Sequence, residues 1–325
     1  MLTIKRWVII NSTLFSFLIF SVFLFSFLGN PVLSPFDLGH DPMARDLFFG
    51  ARLPRVLLAL CVGASLSTSG VVFQSLLRNP LADPYILGVS GGAALGGVVS
   101  LAIGLPYPLM SVIAFLFALG TLFLVYFMAQ VKGRLPSQTL LLTGIVFNAF
   151  AFALILLINS LTNMGEIHQI LYLLMGSLEA QELKTVAWLL GFTAVGLAVV
   201  MACARPMNVI SLGEEPASQL GIDPDRLRKI LFFAASLLVG ASVALAGLIG
   251  FVGLFVPHIL RLAFGPDHRL LLPASALGGG IFLITCDFAA KTLFSGGDFQ
   301  TQIPVGVITA LIGGPFFVFL LKRGR

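Results

Sequence analysis

Charged residues are scarce in this chain: Asp, Glu, Lys and Arg make up 10% of its 325 residues, where soluble domains carry roughly 25%. That shortage excludes a solvated globular surface. It also excludes a nucleic-acid footprint, because the net charge of +5 has no soluble face on which basic residues could gather. Cysteine is rare as well. Cys61, Cys203 and Cys286 all fall in apolar runs, where a thiol behaves as a small hydrophobe, and their spacing fits neither a disulfide framework nor a metal site. The four histidines, His40, His168, His258 and His268, are scattered near expected helix ends or in loops and read as interfacial polar residues, so no metal and no cofactor is expected.

No segment matches the phosphate-cradling G-x-x-x-x-G-K-[ST] pattern, and no G-x-G-x-x-G opens a helix after a strand, so ATP is not bound by that route. The absence of a clustered nucleophile, base and ligand set argues against an enzyme. Acids are missing from the apolar runs too. Ion-coupled carriers place Asp, Glu or His inside the membrane, whereas here the one acid within a predicted span is Asp287, four residues before Lys291 and so at helical spacing for a local ion pair. A proton-driven pump is disfavoured on that ground.

What the chain has instead is apolar length, with 58% hydrophobic residues. A spanning helix needs roughly 20 mainly apolar residues, because ~30 Å of hydrocarbon is crossed at ~1.5 Å per residue. Stretches 7–28, 54–77, 108–131, 139–161, 186–203, 230–250, 273–294 and 303–321 meet that length. Two shorter ones, 88–103 and 251–264, are Gly-rich or Pro-interrupted and bring the expected count to ten. The runs do not alternate, so helices rather than a β-barrel satisfy the backbone in lipid. The first stretch follows Lys5 and Arg6 as a secretory signal would, but it is too long for a signal h-region and lacks a small-residue cleavage site, so it reads as a retained helix. The expectation is one all-α polytopic membrane domain over 1–325.

Ten spans put both termini on one side. The positive-inside rule then groups Lys5, Arg6, Arg78, Lys132, Arg134, Arg205, Arg226, Arg228, Lys229, Arg261, Arg269, Lys322, Arg323 and Arg325 in the cytoplasm, and leaves Arg45, Arg52, Arg55, Lys184 and Lys291 outside. That bias predicts cytoplasmic termini.

Small residues are plentiful, as at Gly91-Gly92, Gly96-Gly97, Gly278-Gly279-Gly280 and Gly313-Gly314, where they let helices approach closely. There is also an internal echo. Val62-Gly63-Ala64-Ser65-Leu66-Ser67-Thr68-Ser69-Gly70 returns 177 residues later as Val239-Gly240-Ala241-Ser242-Val243-Ala244-Leu245-Ala246-Gly247, and the same offset pairs Pro80 with Pro257 and Gly88 with Gly265. Two readings stand: an inverted-topology repeat of the transporter kind, or similarity among helices of like composition.

Three polar constellations lie outside the apolar runs. Arg52-Leu53-Pro54-Arg55 puts two arginines on the outer side against the positive-inside trend. They suit either bidentate pairing with carboxylates or anchoring to lipid headgroups. Residues 205–228 form the longest inside segment, in which Ser211 and Glu214 fit a capping box and Gly221 suits a helix end. A short helix there offers a docking knob for a soluble partner or a merely structural interfacial helix. Residues 78–92 carry Pro80, Pro84 and several glycines that break helix continuity at a membrane face, as a hinge, a gate or a tight connection would.

At these residues the chain resembles the FecCD-type permeases that import vitamin B12, haem and ferric siderophores through ATP-binding-cassette transporters. The resemblance is carried by Arg52-Leu53-Pro54-Arg55, Asn79-Pro80-Leu81-Ala82-Asp83-Pro84, Leu87-Gly88-Val89-Ser90, Arg205-Pro206-Met207-Asn208, Leu212-Gly213-Glu214, Gln219-Leu220-Gly221, Val256-Pro257-His258-Ile259-Leu260-Arg261, Asp267-His268-Arg269 and Ile303-Pro304-Val305-Gly306-Val307. These run in family order across nearly the whole chain and are specific as a set.

The resemblance implies a non-catalytic ten-helix subunit in a bacterial or archaeal cell membrane, the inner membrane in a Gram-negative cell. It would pair with a second copy around a translocation path, above two cytoplasmic ATPases and beneath a periplasmic or surface-tethered substrate-binding protein. It implies docking of the binding protein at Arg52, Arg55 and Lys291, where relatives commonly have arginine in place of the lysine. It implies coupling to the ATPases through Ser211, Leu212, Gly213, Glu214, Glu215, Ala217, Leu220 and Gly221, and a cytoplasmic gate at Asn79, Leu81, Ser137 and Gln138. Energy from a separate subunit accounts for the missing nucleotide site and charge relay together. The competing reading is a stand-alone secondary transporter, which the shortage of internal acids disfavours.

Overall fold

The computed structural model describes residues 3–29, 31–179, 181–293 and 303–323. In chain order its helices are α1 (Ile4–Phe27), α2 (Asp37–His40), α3 (Pro42–Leu47), a π-helical turn (Phe48–Arg52), α4 (Leu53–Leu76), a 3-10 turn (Pro84–Leu87), α5 (Val89–Ala102), α6 (Tyr107–Ala129), α7 (Ser137–Leu161), α8 (Met164–Met175), α9 (Leu183–Ala202), α10 (Ala204–Ile210), α11 (Glu214–Gln219), α12 (Pro224–Ala246), α13 (Val252–Phe264), α14 (His268–Thr292) and α15 (Val305–Arg323). Seven of these runs are long and apolar enough to cross a bilayer. The shorter apolar helices α5, α13 and α15 occupy the other three expected stretches. Of the expected ends, Phe294 and Arg325 lie outside the described residues.

Local chemistry starts the helices where the apolar runs begin. Thr3 Oγ1 accepts from Arg6 N at 3.3 Å, Asp223 Oδ1 accepts from Asp225 N and Arg226 N at 3.0 and 3.2 Å, and Asp267 Oδ1 accepts from Arg269 N at 3.0 Å. Each satisfies an amide that the first helical turn leaves unpaired. Helices α5 and α13 have 14 and 13 residues, which at ~1.5 Å per residue is ~20 Å and short of the hydrocarbon thickness. Irregular backbone therefore precedes each of them inside the bundle, and protein groups satisfy it. The Tyr85 hydroxyl donates to Ile249 O at 2.9 Å and accepts from Ile249 N at 2.8 Å, while Asn148 Nδ2 donates to Tyr85 O at 2.7 Å. Leu248 N reaches Leu173 O at 3.1 Å.

Helix α4 forms the centre, with 19 of its 24 residues buried, and α12 and α14 flank it. Helices α1, α7 and α9 are peripheral and turn most of their apolar surface outward. Lipid tails are as apolar as leucine, so close packing rather than transfer from water must hold such a bundle together. A Cβ on Gly63 would overlap the Gly279 carbonyl, one on Gly279 would overlap that of Gly63, and one on Gly70 would overlap that of Gly253. The expected packing role of the glycines holds at Gly92 against Thr121, at Gly96 against Phe117 and at Gly313 against Phe251.

Two expectations need correction, and two helical stretches lie outside the expected spans. Helix α8 has 12 residues, too few to span; Ile170 is fully buried and packs α8 against α5. The helix of the second expected span, 54–77, starts earlier, since Pro42–Leu76 is one continuous helical run. His258 lies in the middle of α13 rather than near a helix end. The capping box at Ser211 and Glu214 does not form: Gly213 is the N-cap residue of α11, and Ser211 Oγ donates instead to Asn208 O at 2.6 Å.

The echo gains a direction from the fold. The C-terminal end of α4 and the N-terminal end of α12 meet where Arg78 and Arg228 share Glu214, and Ser69 Oγ donates to Ala235 O at 3.1 Å, so the two helices run antiparallel. Their helical match ends early, since α12 stops at Ala246 whereas α4 runs on to Leu76.

The glycine contacts can be tested directly. Gly70→Val is expected to cost about 1–3 kcal/mol through overpacking, seen as a lower Tm in detergent. Gly120→Val on α6, where an added Cβ meets nothing within 4 Å, should leave Tm nearly unchanged.

Candidate functional site

At one end of the bundle the backbone brings α4 and α14 together around a buried carboxylate. Asp287 is 3% exposed. Arg55 grips it bidentately, with Nε at 3.1 Å from each oxygen and Nη2 at 2.9 Å from Oδ1, while Lys291 Nζ lies 3.0 Å from Oδ2. The expected Asp287–Lys291 pair is present, but it is half of the arrangement. The stronger partner comes from 232 residues away, and no periodicity announces it. Bidentate geometry adds direction as well as charge, which matters most where water is excluded.

Arg52 diverges from Arg55. It closes the π-helical turn, and its guanidinium donates to Phe27 O at 2.9 Å and to Pro31 O, which straps the segment after α1 to the start of α4. Arg52, Arg55 and Lys291 thus share one end of the molecule, with Arg55 and Lys291 on one carboxylate and Arg52 on backbone carbonyls.

The opposite end is basic. Arg6 Nη2 donates to Phe264 O at 3.3 Å, Trp7 Nε1 to Arg269 O at 2.9 Å and Lys229 Nζ to Gly133 O at 3.0 Å, and Arg134 pairs with Asp225 at 3.7 Å. These contacts collect residues of the predicted inside group at one face.

Here the segment expected over 205–228 folds into two short helices, α10 and α11, rather than one, and its last residues, from Pro224 on, already belong to α12. Helix α11 ends in a Schellman motif at the expected glycine: Gly221 has φ +78, its N–H bonds Ser218 O, and Ile222 N–H bonds Ala217 O, both at 3.0 Å. Ala217 is fully buried, while Leu212 and Leu220 are 74% and 67% exposed. Ser211 and Glu215 are exposed as well.

Both short helices are fastened to central ones. Glu214 pairs with Arg228 of α12 and, at 3.4 Å, with Arg78 beyond α4. The hydrogen bond from Arg228, followed by the charges of the neighbouring arginines, holds the Glu214 carboxyl below the usual range. Helix α10 is tied to the start of α14. Asn208 Nδ2 donates to Asp267 Oδ1 at 2.7 Å, and Asn208 Oδ1 accepts from His268 N at 2.9 Å. Arg269 closes on Asp267 at 2.6 Å and holds its carboxyl well below the usual range. The motif residues Asn208, Asp267 and His268 had no role beyond family likeness, and the fold makes them a joint.

The residues expected at a gate lie near this end. Ser137 Oγ donates to Leu76 O at 2.7 Å, tying the first turn of α7 to the last of α4, and Asn79 Oδ1 accepts from Leu81 N at 3.0 Å in a local turn. Gln138 is exposed.

A family model described as the FecCD transport family matches residues 13–323. The chain is 45% identical to the cobalamin import system permease protein BtuC of Halobacterium salinarum, over 89% of this chain and 77% of that one. It is 37% identical to the hemin transport system permease protein HmuU of Yersinia pestis, over 86% and 84%. Its fold matches a solved inward-facing structure assigned to the metal-chelate type of ABC transporter, with a TM-score of 0.87 and 32% identity over 97% of this chain and 99% of the other.

The Asp287 cluster makes a prediction. Asp287→Ala takes the buried carboxylate from Arg55 and is expected to destabilise by about 3–5 kcal/mol, read as a lower Tm in detergent. Replacing both partners, Arg55→Met with Asp287→Leu, should recover most of that loss, because Lys291 can extend towards water.

Proposed function

The chain belongs to the FecCD transport family, and from that premise we propose that two copies of this multi-pass permease enclose the path by which an ABC importer carries a metal chelate. Two separate ATPase subunits beneath the basic, cytoplasmic end supply the energy, and a substrate-binding protein docks at the other end. The cargo class is a corrinoid, haem or ferric siderophore; relatives named for cobalamin and hemin support the first two.

The observation that carries this reading is the double fastening of α10 and α11. A soluble partner that seats on the exposed Leu212 and Leu220 pulls through Glu214 on α12 and the end of α4, and through Asn208 on α14. Those three helices are the buried centre of the bundle, so movement of the short helices must move it. A driven switch needs contacts that differ between its two states. Ser137 holding Leu76 is one contact that could part, which supports a gate at Asn79, Leu81, Ser137 and Gln138. At the outer end, Arg52 and Lys291 offer donors to carboxylates of a binding protein, with Arg55 held beneath by Asp287.

The test is reconstitution of this chain with its neighbouring gene products in liposomes. ATPase activity should rise on adding one binding protein loaded with cobalamin, haem or a ferric siderophore, and uptake should need ATP. Uptake down an ion gradient without ATPase subunits would support a stand-alone secondary carrier instead. Leu212→Asp with Leu220→Asp should lower ATPase co-purification about tenfold or more, as loss of central contact residues does. Both side chains are largely exposed, so the Tm of the chain alone should stay unchanged.

A further inference from the structure

A cavity of about 780 Å³ opens at the basic end between the first turn of α1, the end of α4, α10 and the junction of α13 with α14. Three arginines wall it: Arg6, Arg78 and Arg261. We infer that this cavity holds the phosphate-bearing headgroup of an anionic phospholipid from the adjacent leaflet. The inference does not depend on the transport cargo, but it rests on the proposed cytoplasmic placing of this end, where Ser211 and Leu212 of the coupling segment also line the cavity.

The argument starts from Arg261. Its side chain is half-buried at the last turn of α13 and makes no hydrogen bond or ion pair with another described residue. A guanidinium cannot shed its proton, and a charge withdrawn from water without a partner is costly, so an anion delivered there gains what the protein leaves unmet. The neighbouring cations are differently engaged. Arg6 spends one donor on Phe264 O, and Arg78 turns towards Glu214 at 3.4 Å. The carboxylate in the wall, Asp267, is closed off by Asn208 and Arg269, so it does not repel an entering phosphate as a bare charge would. The cavity also has a neutral contact to offer. Gln74 is 3% exposed, and its Oε1 has no partner among the described residues; it can accept from a headgroup hydroxyl.

Position decides the source of the anion. Trp7 is bonded to Arg269 O beside the cavity, and α1, whose second turn it opens, is almost wholly unburied along its apolar length. Tryptophan marks the headgroup level, so the Arg6 wall sits where lipid meets water. Basic pockets between helices on the cytoplasmic side are suited to anionic headgroups, which Lys and Arg near that surface attract.

The experiment is native mass spectrometry of the purified full chain in detergent, titrated with phosphatidylglycerol or phosphatidylcholine. Phosphatidylglycerol should be retained about fivefold more tightly than phosphatidylcholine, and Arg261→Gln should abolish that preference while Tm in lipid-free detergent is maintained. If Arg261→Gln does not fold, Arg6→Gln at the exposed rim serves instead and should weaken retention by a similar factor. Equal retention of the two lipids by the unaltered chain would overturn the proposal, as would a preference that survives in the folded variants. Stabilisation by inorganic phosphate equal to that by phosphatidylglycerol would assign the cavity to a free anion and overturn the lipid source. Unchanged lipid preference with lost ATPase co-purification in Arg261→Gln would assign Arg261 to a protein partner and also overturn it.

Discussion

Contact between backbones at the glycines of α4 is the constraint on which the rest of the structure depends. In lipid, burying another leucine gains little against hydrocarbon that is equally apolar, so attraction must come from atoms brought close together. Gly63 against Gly279 and Gly70 against Gly253 remove the side chains that would hold α4 away from α14 and α13. Serines and threonines of α4 fill the same buried stripe; Ser65 lies 3.2 Å from Thr193 of α9, and Ser69 bonds a carbonyl of α12. With α4 so placed, α12 and α14 have one place to go, and the remaining helices pack outside them.

That centre also explains why the polar chemistry sits where it does. Helix α14 begins at the Asn208–Asp267–His268 joint and carries Asp287 and Lys291 near its other end. Helix α4 begins beside Arg55 and ends before Arg78. Two buried rods therefore connect the two charged ends, while the apolar length between them holds no charge that a moving cargo would have to desolvate. A contiguous chain of packed elements is the physical means by which a push at one end is felt at the other. It also separates tasks, since the exposed Leu212 and Leu220 can meet a partner without disturbing the core that Ala217 joins.

Local features of this fold were legible and long-range ones were not. The apolar stretches, the Gly221 helix end and the four-residue spacing of Asp287 and Lys291 are written in neighbouring residues, and each appears where expected. The capping box at Ser211 failed because the turn hands the cap to Gly213, with Ser211 bonded backward. Helix α8 escaped notice because 12 residues neither span a membrane nor mark themselves in a loop; burial of Ile170 on α5 gives that segment its place. The Arg52 and Arg55 pair read as one constellation, yet each found a different partner.

By itself, the sequence determined the solvent of this protein, its helical class, the face on which its cations gather and, through motifs in order along the chain, its family. Those are set by composition and by spacing over a few residues, where hydrocarbon thickness and backbone pairing leave one solution. Only the tertiary structure decided that Arg55 and Asp287 meet across 232 residues, that Asn208 joins the short helices to α14, and that Arg261 faces a cavity rather than a carboxylate. Each depends on which helices become neighbours. Close packing of whole helix surfaces makes that choice, and no local pattern of residues encodes it.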